Sequence, residues 1–130
     1  MARPSGPKIR CGERWTEAKF HSFIMTQLRG ATRKWAPISD CQKAARVRRG
    51  WYKCNICKQE VPNTILKDRK RVKNVFVDHI EPIVPVTGWV SWDHCVDSMF
   101  SEEGNLQLAC RSCHSIKTAD EAALRKLNRK

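Results

Sequence analysis

Acidic side chains are scarce in this sequence of 130 residues: 13 Asp and Glu stand against 25 Lys and Arg, leaving a formal charge of +12. So basic a chain calls for a polyanionic partner, most often nucleic acid, with an acidic membrane surface or an acidic protein as the other candidates. A long apolar run is missing, which excludes a membrane-crossing helix, and internal repeats and low-complexity tracts are missing too. What remains is enough chain for one domain with a modest core, of a size that often leans on a metal or a disulfide.

The opening, MARPSGPKIRCGER, lacks the apolar centre of a signal peptide, so a reducing cytoplasm is the expected setting. Seven cysteines are poor candidates for disulfides there, and an odd number cannot all pair, so metal ligation is the leading account. The basic excess is uneven: Lys and Arg outnumber Asp and Glu by 13 to 3 over residues 1–53 and by 12 to 10 over residues 54–130. This divides the chain into a basic arm with a helical extension, residues 1–50, and a second region, residues 51–130.

Residues 1–14, with Pro4, Gly6, Pro7 and Gly12 among basic residues, read as a flexible arm. From Thr16 to about Arg29, Phe20, Phe23, Ile24 and Leu28 recur at helical spacing, with Thr16 as N-cap and Gly30 beyond the end. Pro37 interrupts, and a second helix is expected from Ser39 or Asp40 to Arg49, closed by Gly50 and carrying Lys43, Arg46, Arg48 and Arg49 on a face suited to phosphates. WYKCNICKQEV predicts a short strand and a knuckle, and LKDRKRVKNVFVDH a basic loop running into a strand at Val75–Val77. SWDHCVDSMF has helical character. NLQLAC reads as extended, followed by a C-terminal helix with Ala119, Ala122, Ala123, Leu124 and Leu127 available for packing.

Cys54 and Cys57 form one CxxC and Cys110 and Cys113 another. Two intervening residues let both sulfurs converge on one tetrahedral ion about 2.3 Å away, so the two knuckles together predict a closed, structural zinc site. The alternatives are free buried cysteines or a redox pair, the latter lacking any βαβ pattern. Zinc with four thiolates would lower the net charge only to about +10.

The knuckles enclose VDHIEP, and GNLQLACRSCHSIKT carries Asn105 ahead of the second knuckle and His114 directly after it. CxxC, DHIxP, NLQ, CxxCH and KT in this order resemble the HNH (His-Me finger, ββα-metal) endonuclease family, over residues 54–118. SFIMTQLRGATRKWAP, RRGWYKC and GWVSWDHCVDSMF are similar to phage-encoded members. The resemblance implies an α+β fold, a small zinc-stapled ββα-metal finger with a basic helical N-terminal extension. It implies metal-dependent hydrolysis of DNA phosphodiester bonds, nicking with low sequence specificity. Asp78 and His114 would hold a catalytic divalent ion (Mg, Mn or another), His79 would be the general base, and Asn105 would secure the loop presenting it. A viral source, the host cell's cytoplasm, packaging proteins as partners and a monomeric state are the context it suggests.

The residue chemistry agrees. Phosphodiester cleavage needs a cation for the developing charge and a base for the attacking water. Asp78 and His114 offer one hard and one borderline ligand, and an imidazole with a pKa of about 6.5 can take a proton at neutral pH. Each residue also has a plainer reading: Asp78 as a turn cap, His79 as a satisfied strand-end histidine, Asn105 as a turn residue, His114 as a spare ligand beside the knuckle. Lys43, Arg46, Arg48, Arg49, Arg69, Lys70, Arg71 and Lys117 are the candidate contacts to DNA. Cys11, Cys41, Cys95, His21 and His94 match no known metal spacing, and the five tryptophans are expected to pack rather than to stack on bases. The main rival is a non-catalytic zinc-finger DNA-binding or packaging accessory protein; a second is an enzyme preferring RNA or branched DNA.

Overall fold

The computed structural model describes residues 6–129, so the part of the expected arm at residues 1–5, Pro4 included, lies outside the described residues. The chain forms a small mixed α/β protein of two compact units, Met1–Lys34 and Trp35–Lys130. The unit boundary falls ahead of residue 50, because the second helix packs on the strands that follow it.

In the first unit, β1 (Lys8–Arg10) pairs antiparallel with β2 (Trp15–Thr16). The expected arm is therefore a hairpin from Lys8 onward, turned by Cys11, Gly12 and Glu13 at φ 57°, 62° and 64°. Arg10 secures it, reaching Glu17 at 2.8 Å and lying 4.3 Å from the centre of the Phe20 ring. The helix α1 (Glu17–Ala31) starts at the expected cap, where Thr16 Oγ1 accepts from Lys19 N at 3.2 Å. It runs through Gly30 and ends at Thr32, whose N–H reaches the carbonyls of Arg29 and Gly30. Gly30 does not take the left-handed backbone with which a glycine commonly closes a helix, so the helix continues through it.

The second unit begins with α2 (Ala36–Ala45). Pro37 opens this helix rather than interrupting it, since a missing N–H costs nothing in the first turn. The helix also ends early. Arg46–Arg48 is strand β3, paired with β4 (Trp51–Lys53), which pairs with β5 (Glu60–Pro62). Gly50 at φ 79° makes the turn between β3 and β4 instead of closing a helix. Arg46 and Arg48 thus lie on an edge strand with β-branched Val47 between them, so a helical phosphate-tracking face does not exist there.

The expected basic loop is a further hairpin, β6 (Thr64–Lys67) with β7 (Lys70–Lys73). Its two turn residues, Asp68 and Arg69, have φ of 51° and 66°, the backbone a two-residue hairpin turn demands. Then β8 (Val75–His79) pairs antiparallel with β9 (Leu106–Cys110), from Val75 opposite Cys110 to His79 opposite Leu106. Between them lies α3 (Trp92–Met99), capped by Ser91, whose Oγ accepts from His94 N at 3.1 Å. The helix α4 (Arg111–Asn128) follows β9 directly.

Ala45, Val75 and Leu108 form the buried centre, with Tyr52, Val61 and Val77 packed around them. Strand alternation therefore turns Val75, Val77 and Leu108 toward α2 and sends Phe76, Asp78 and Gln107 to the other face, where α4 lies. Ala119, Ala122, Ala123, Leu124 and Leu127 are all exposed, against expectation. The far half of α4 is held by polar contacts instead: Arg125 donates to the Val84 carbonyl at 2.8 Å and Asn128 to that of Val86 at 3.0 Å. No described helix is long and apolar enough to cross a membrane.

Candidate functional site

Cys54 follows β4, Cys57 lies in the turn before β5, Cys110 ends β9 and Cys113 sits in the first turn of α4. Their sulfurs all lie within 4.8 Å of one another, so the four cysteines form a cluster that can hold a metal ion such as zinc. The first knuckle is shaped by Lys58 at φ 64° and by hydrogen bonds from Lys58 N to the Cys54 carbonyl and from Cys54 N to the Gln59 carbonyl, both 2.9 Å. Asn55 ties the knuckle to β9, donating from its backbone N to the Leu108 carbonyl at 2.7 Å and accepting from Leu108 N at 2.6 Å.

The charge state of the cluster fits a cation. Burial pushes the Cys54 thiol up, but backbone N–H groups of Cys57, Cys110 and Ile56 outweigh it and lower the thiol to about 6. Cys113 is pushed up to about 12 by burial, by its hydrogen bonds to the other three sulfurs and by the Cys54 charge. Cys57 is raised too: the Gln59 N–H favours its thiolate, but burial and Cys54 outweigh that. One thiolate forms readily and its neighbours resist following, a conflict that a doubly charged ion removes.

A second group lies where β8, β9 and α4 meet. Asp78 Oδ1 and His114 Nε2 face each other at 3.9 Å. Two donors each about 2.1 Å from one ion lie no more than about 4.2 Å apart, so this pair could share a cation. The His114 ring is held by stacking on Phe76, with centroids 4.8 Å apart and planes at 20°. Asp78 Oδ2 is engaged otherwise, by Lys117 Nζ at 3.1 Å and Gln107 Nε2 at 3.2 Å. Asp78 is mostly buried, with 15% of its side chain exposed, while His114, at 36%, remains open to solvent.

His79 directs Nε2 at the Met99 carbonyl, 2.9 Å away. A carbonyl only accepts, so this bond assigns the proton to Nε2 and leaves Nδ1 with a free lone pair. Asn105 secures the turn after His79: its carbonyl accepts from Ile80 N and its Oδ1 from Glu81 N, both at 2.8 Å. The Glu81 N–H can only donate, which fixes which way the amide points and leaves Nδ2 to donate to Ser101 Oγ at 3.0 Å.

Lys43, Arg46, Arg48, Arg49, Arg69, Lys70 and Arg71 are all exposed. Arg48 is committed to Glu60 at 2.7 Å and Arg71 to Thr64 Oγ1 at 3.2 Å. Lys117 is not free for a phosphate. Its ammonium reaches Asp78 Oδ2 at 3.1 Å, Glu121 Oε2 at 2.9 Å and the His79 carbonyl at 2.9 Å, which uses its three donors. Burial opposes that charge, but the hydrogen bonds to Glu121 and Asp78 outweigh it and raise the lysine above its ordinary value.

Gln107, Glu121 and the Met99 carbonyl were not anticipated. Glu121 was within reach, being four residues beyond Lys117 on a helix; the other two depend on strand pairing and on the path of the chain between the strands. No family model, curated protein or solved structure matches this chain.

Proposed function

We propose that the protein is a metal-dependent endonuclease of the HNH type, in which β8, β9 and α4 act as a ββα-metal finger and the four cysteines carry a structural zinc. The observation that carries this reading is the facing pair of Asp78 Oδ1 and His114 Nε2, 3.9 Å apart, next in the chain to an imidazole whose Nδ1 is free. Asp78 and His114 would hold a divalent ion, which when bound supplies neutralisation of the phosphate and the leaving oxygen. His79 Nδ1 accepts the proton of the attacking water, while the Met99 carbonyl keeps the ring oriented. Asn105 holds the turn behind it, and His114 is steadied by Phe76.

DNA is the substrate that the charge of +12 favours. Near the reacting pair, Lys73 Nζ and Arg111 Cζ lie 5.3 and 5.7 Å from the centre of the Phe76 ring that stacks on His114. Arg111 spends one N–H on the Lys73 carbonyl at 2.9 Å, and no acidic side chain among the described residues pairs with either cation. Both can meet backbone phosphates flanking the one that is cut. Contacts of this kind carry no base readout, so weak sequence preference follows.

The test is conversion of supercoiled plasmid with added magnesium, manganese or EDTA, run beside single-stranded, branched and RNA substrates. Metal-dependent nicking of duplex DNA, lost in His79→Ala at matched zinc content, supports the reading. Binding without cleavage by either protein would favour the zinc-finger accessory, and cleavage confined to RNA or branched DNA would move the substrate assignment.

A further inference from the structure

Resting on that reading, we propose that Lys117 is a positioning residue that keeps Glu121 out of the ion's coordination and leaves Asp78 Oδ1 alone to join His114. The site contains two carboxylates, Asp78 and Glu121, bridged by one ammonium at 3.1 and 2.9 Å. Both Lys117 and Glu121 have only 19% of their side chains exposed, so the bridge is shielded from water and little screened. The third donor goes to the His79 carbonyl at 2.9 Å, which ties the same ammonium to the backbone of the base.

The two oxygens of Asp78 are thereby made unequal. Oδ2 receives both Lys117 and Gln107, whereas Oδ1 faces His114 Nε2. Without the ammonium, Asp78 and Glu121 would form an acidic pair able to draw a divalent ion toward themselves and away from His114. A cation is also repelled by a fixed positive charge so near its ligand. Lys117 therefore weakens metal binding while selecting its geometry, and its removal should separate affinity from turnover.

The experiment is titration of zinc-loaded protein with Mn²⁺, followed by electron paramagnetic resonance, beside cleavage of plasmid. Lys117→Met should bind Mn²⁺ tighter by about 3- to 10-fold while cleaving at least about 10-fold more slowly. The double change Lys117→Met with Glu121→Gln should return affinity toward that of the wild type. A residue serving the fold alone would lower affinity and rate together, so unchanged or weaker Mn²⁺ binding by Lys117→Met overturns the proposal. Should that variant fail to fold, as judged by zinc content and thermal melting, Glu121→Gln alone decides. A loss of no more than about 3-fold is expected of it, from the negative charge removed nearby, and a loss as deep as that of Asp78→Asn would mean that Glu121 already ligates the ion. Asp78→Asn serves as the control on the underlying reading: if it binds Mn²⁺ as the wild type does, the ion site itself is misassigned.

Discussion

The Nε2 atom of His79, at the end of β8, lies 2.9 Å from the carbonyl oxygen of Met99, at the end of α3. Met99 is wholly buried, so the acceptor sits in the packed interior of the unit, and the bond holds the imidazole in one tautomer, with the proton on Nε2. If His79 is the base of the proposed nuclease, His79→Ala should lower cleavage by about 100-fold or more, the usual scale of a lost general base. Zinc content and DNA affinity, measured by metal analysis and by fluorescence anisotropy in EDTA, should stay as in the wild type.

Zinc uptake should be coupled to protons. Cys57 and Cys113 are held above the ordinary thiol value of 9.0, so both are protonated at neutral pH in the metal-free protein and must release a proton to ligate. Addition of zinc to that protein in weak buffer should acidify it, as an indicator dye would report, and affinity should fall with falling pH. The folded value of Cys54 is depressed to about 6 from 9.0. Its contribution to stability is therefore complete above 9.0 and lost as the pH falls through about 6. Cys54→Ser should lose zinc and much of the fold; a variant that kept both would remove the four-sulfur site from consideration.

On the proposed nuclease reading, Asn105 acts at one remove from the chemistry. Asn105→Ala deletes the acceptor for Glu81 N and the donor to Ser101, so the turn after His79 loosens. Turnover should drop by about 10-fold or more through misorientation, with Mn²⁺ affinity unchanged. Equal losses in both would instead make Asn105 a support of the fold as a whole.

The exposed arginines around β3 remain the place to look for backbone contacts, now on an edge strand and its turn. Arg46→Ala combined with Arg49→Ala should weaken binding to all duplex sequences alike and reduce the salt slope by about 2, one for each phosphate that is no longer neutralised. An unchanged slope would take DNA away from this edge. The same measurement on Lys73→Ala with Arg111→Ala would then show whether the substrate runs past Phe76.

The cysteine cluster was legible in the sequence because a CxxC knuckle is local geometry: two residues between thiolates set the reach of both sulfurs whatever surrounds them. The helix starting at Thr16 and the strands carrying Asp78 and Leu108 were legible for a like reason, each resting on a cap or a side-chain period within a few residues. Gly30, Pro37 and Arg46–Arg48 misled, because the same residue type can close a helix, open one or turn a hairpin, and pairing with Trp51–Lys53 decided which. The polar surroundings of Asp78 were beyond the sequence altogether. Gln107 stands opposite it only through the β8–β9 register, Lys117 and Glu121 arrive on α4, and Met99 reaches His79 from α3. The linear chain determined which chemical groups are available, at local spacings. Only tertiary pairing decided which oxygen of Asp78 stays open and which nitrogen of His79 stays free, because both depend on partners from elements distant in sequence.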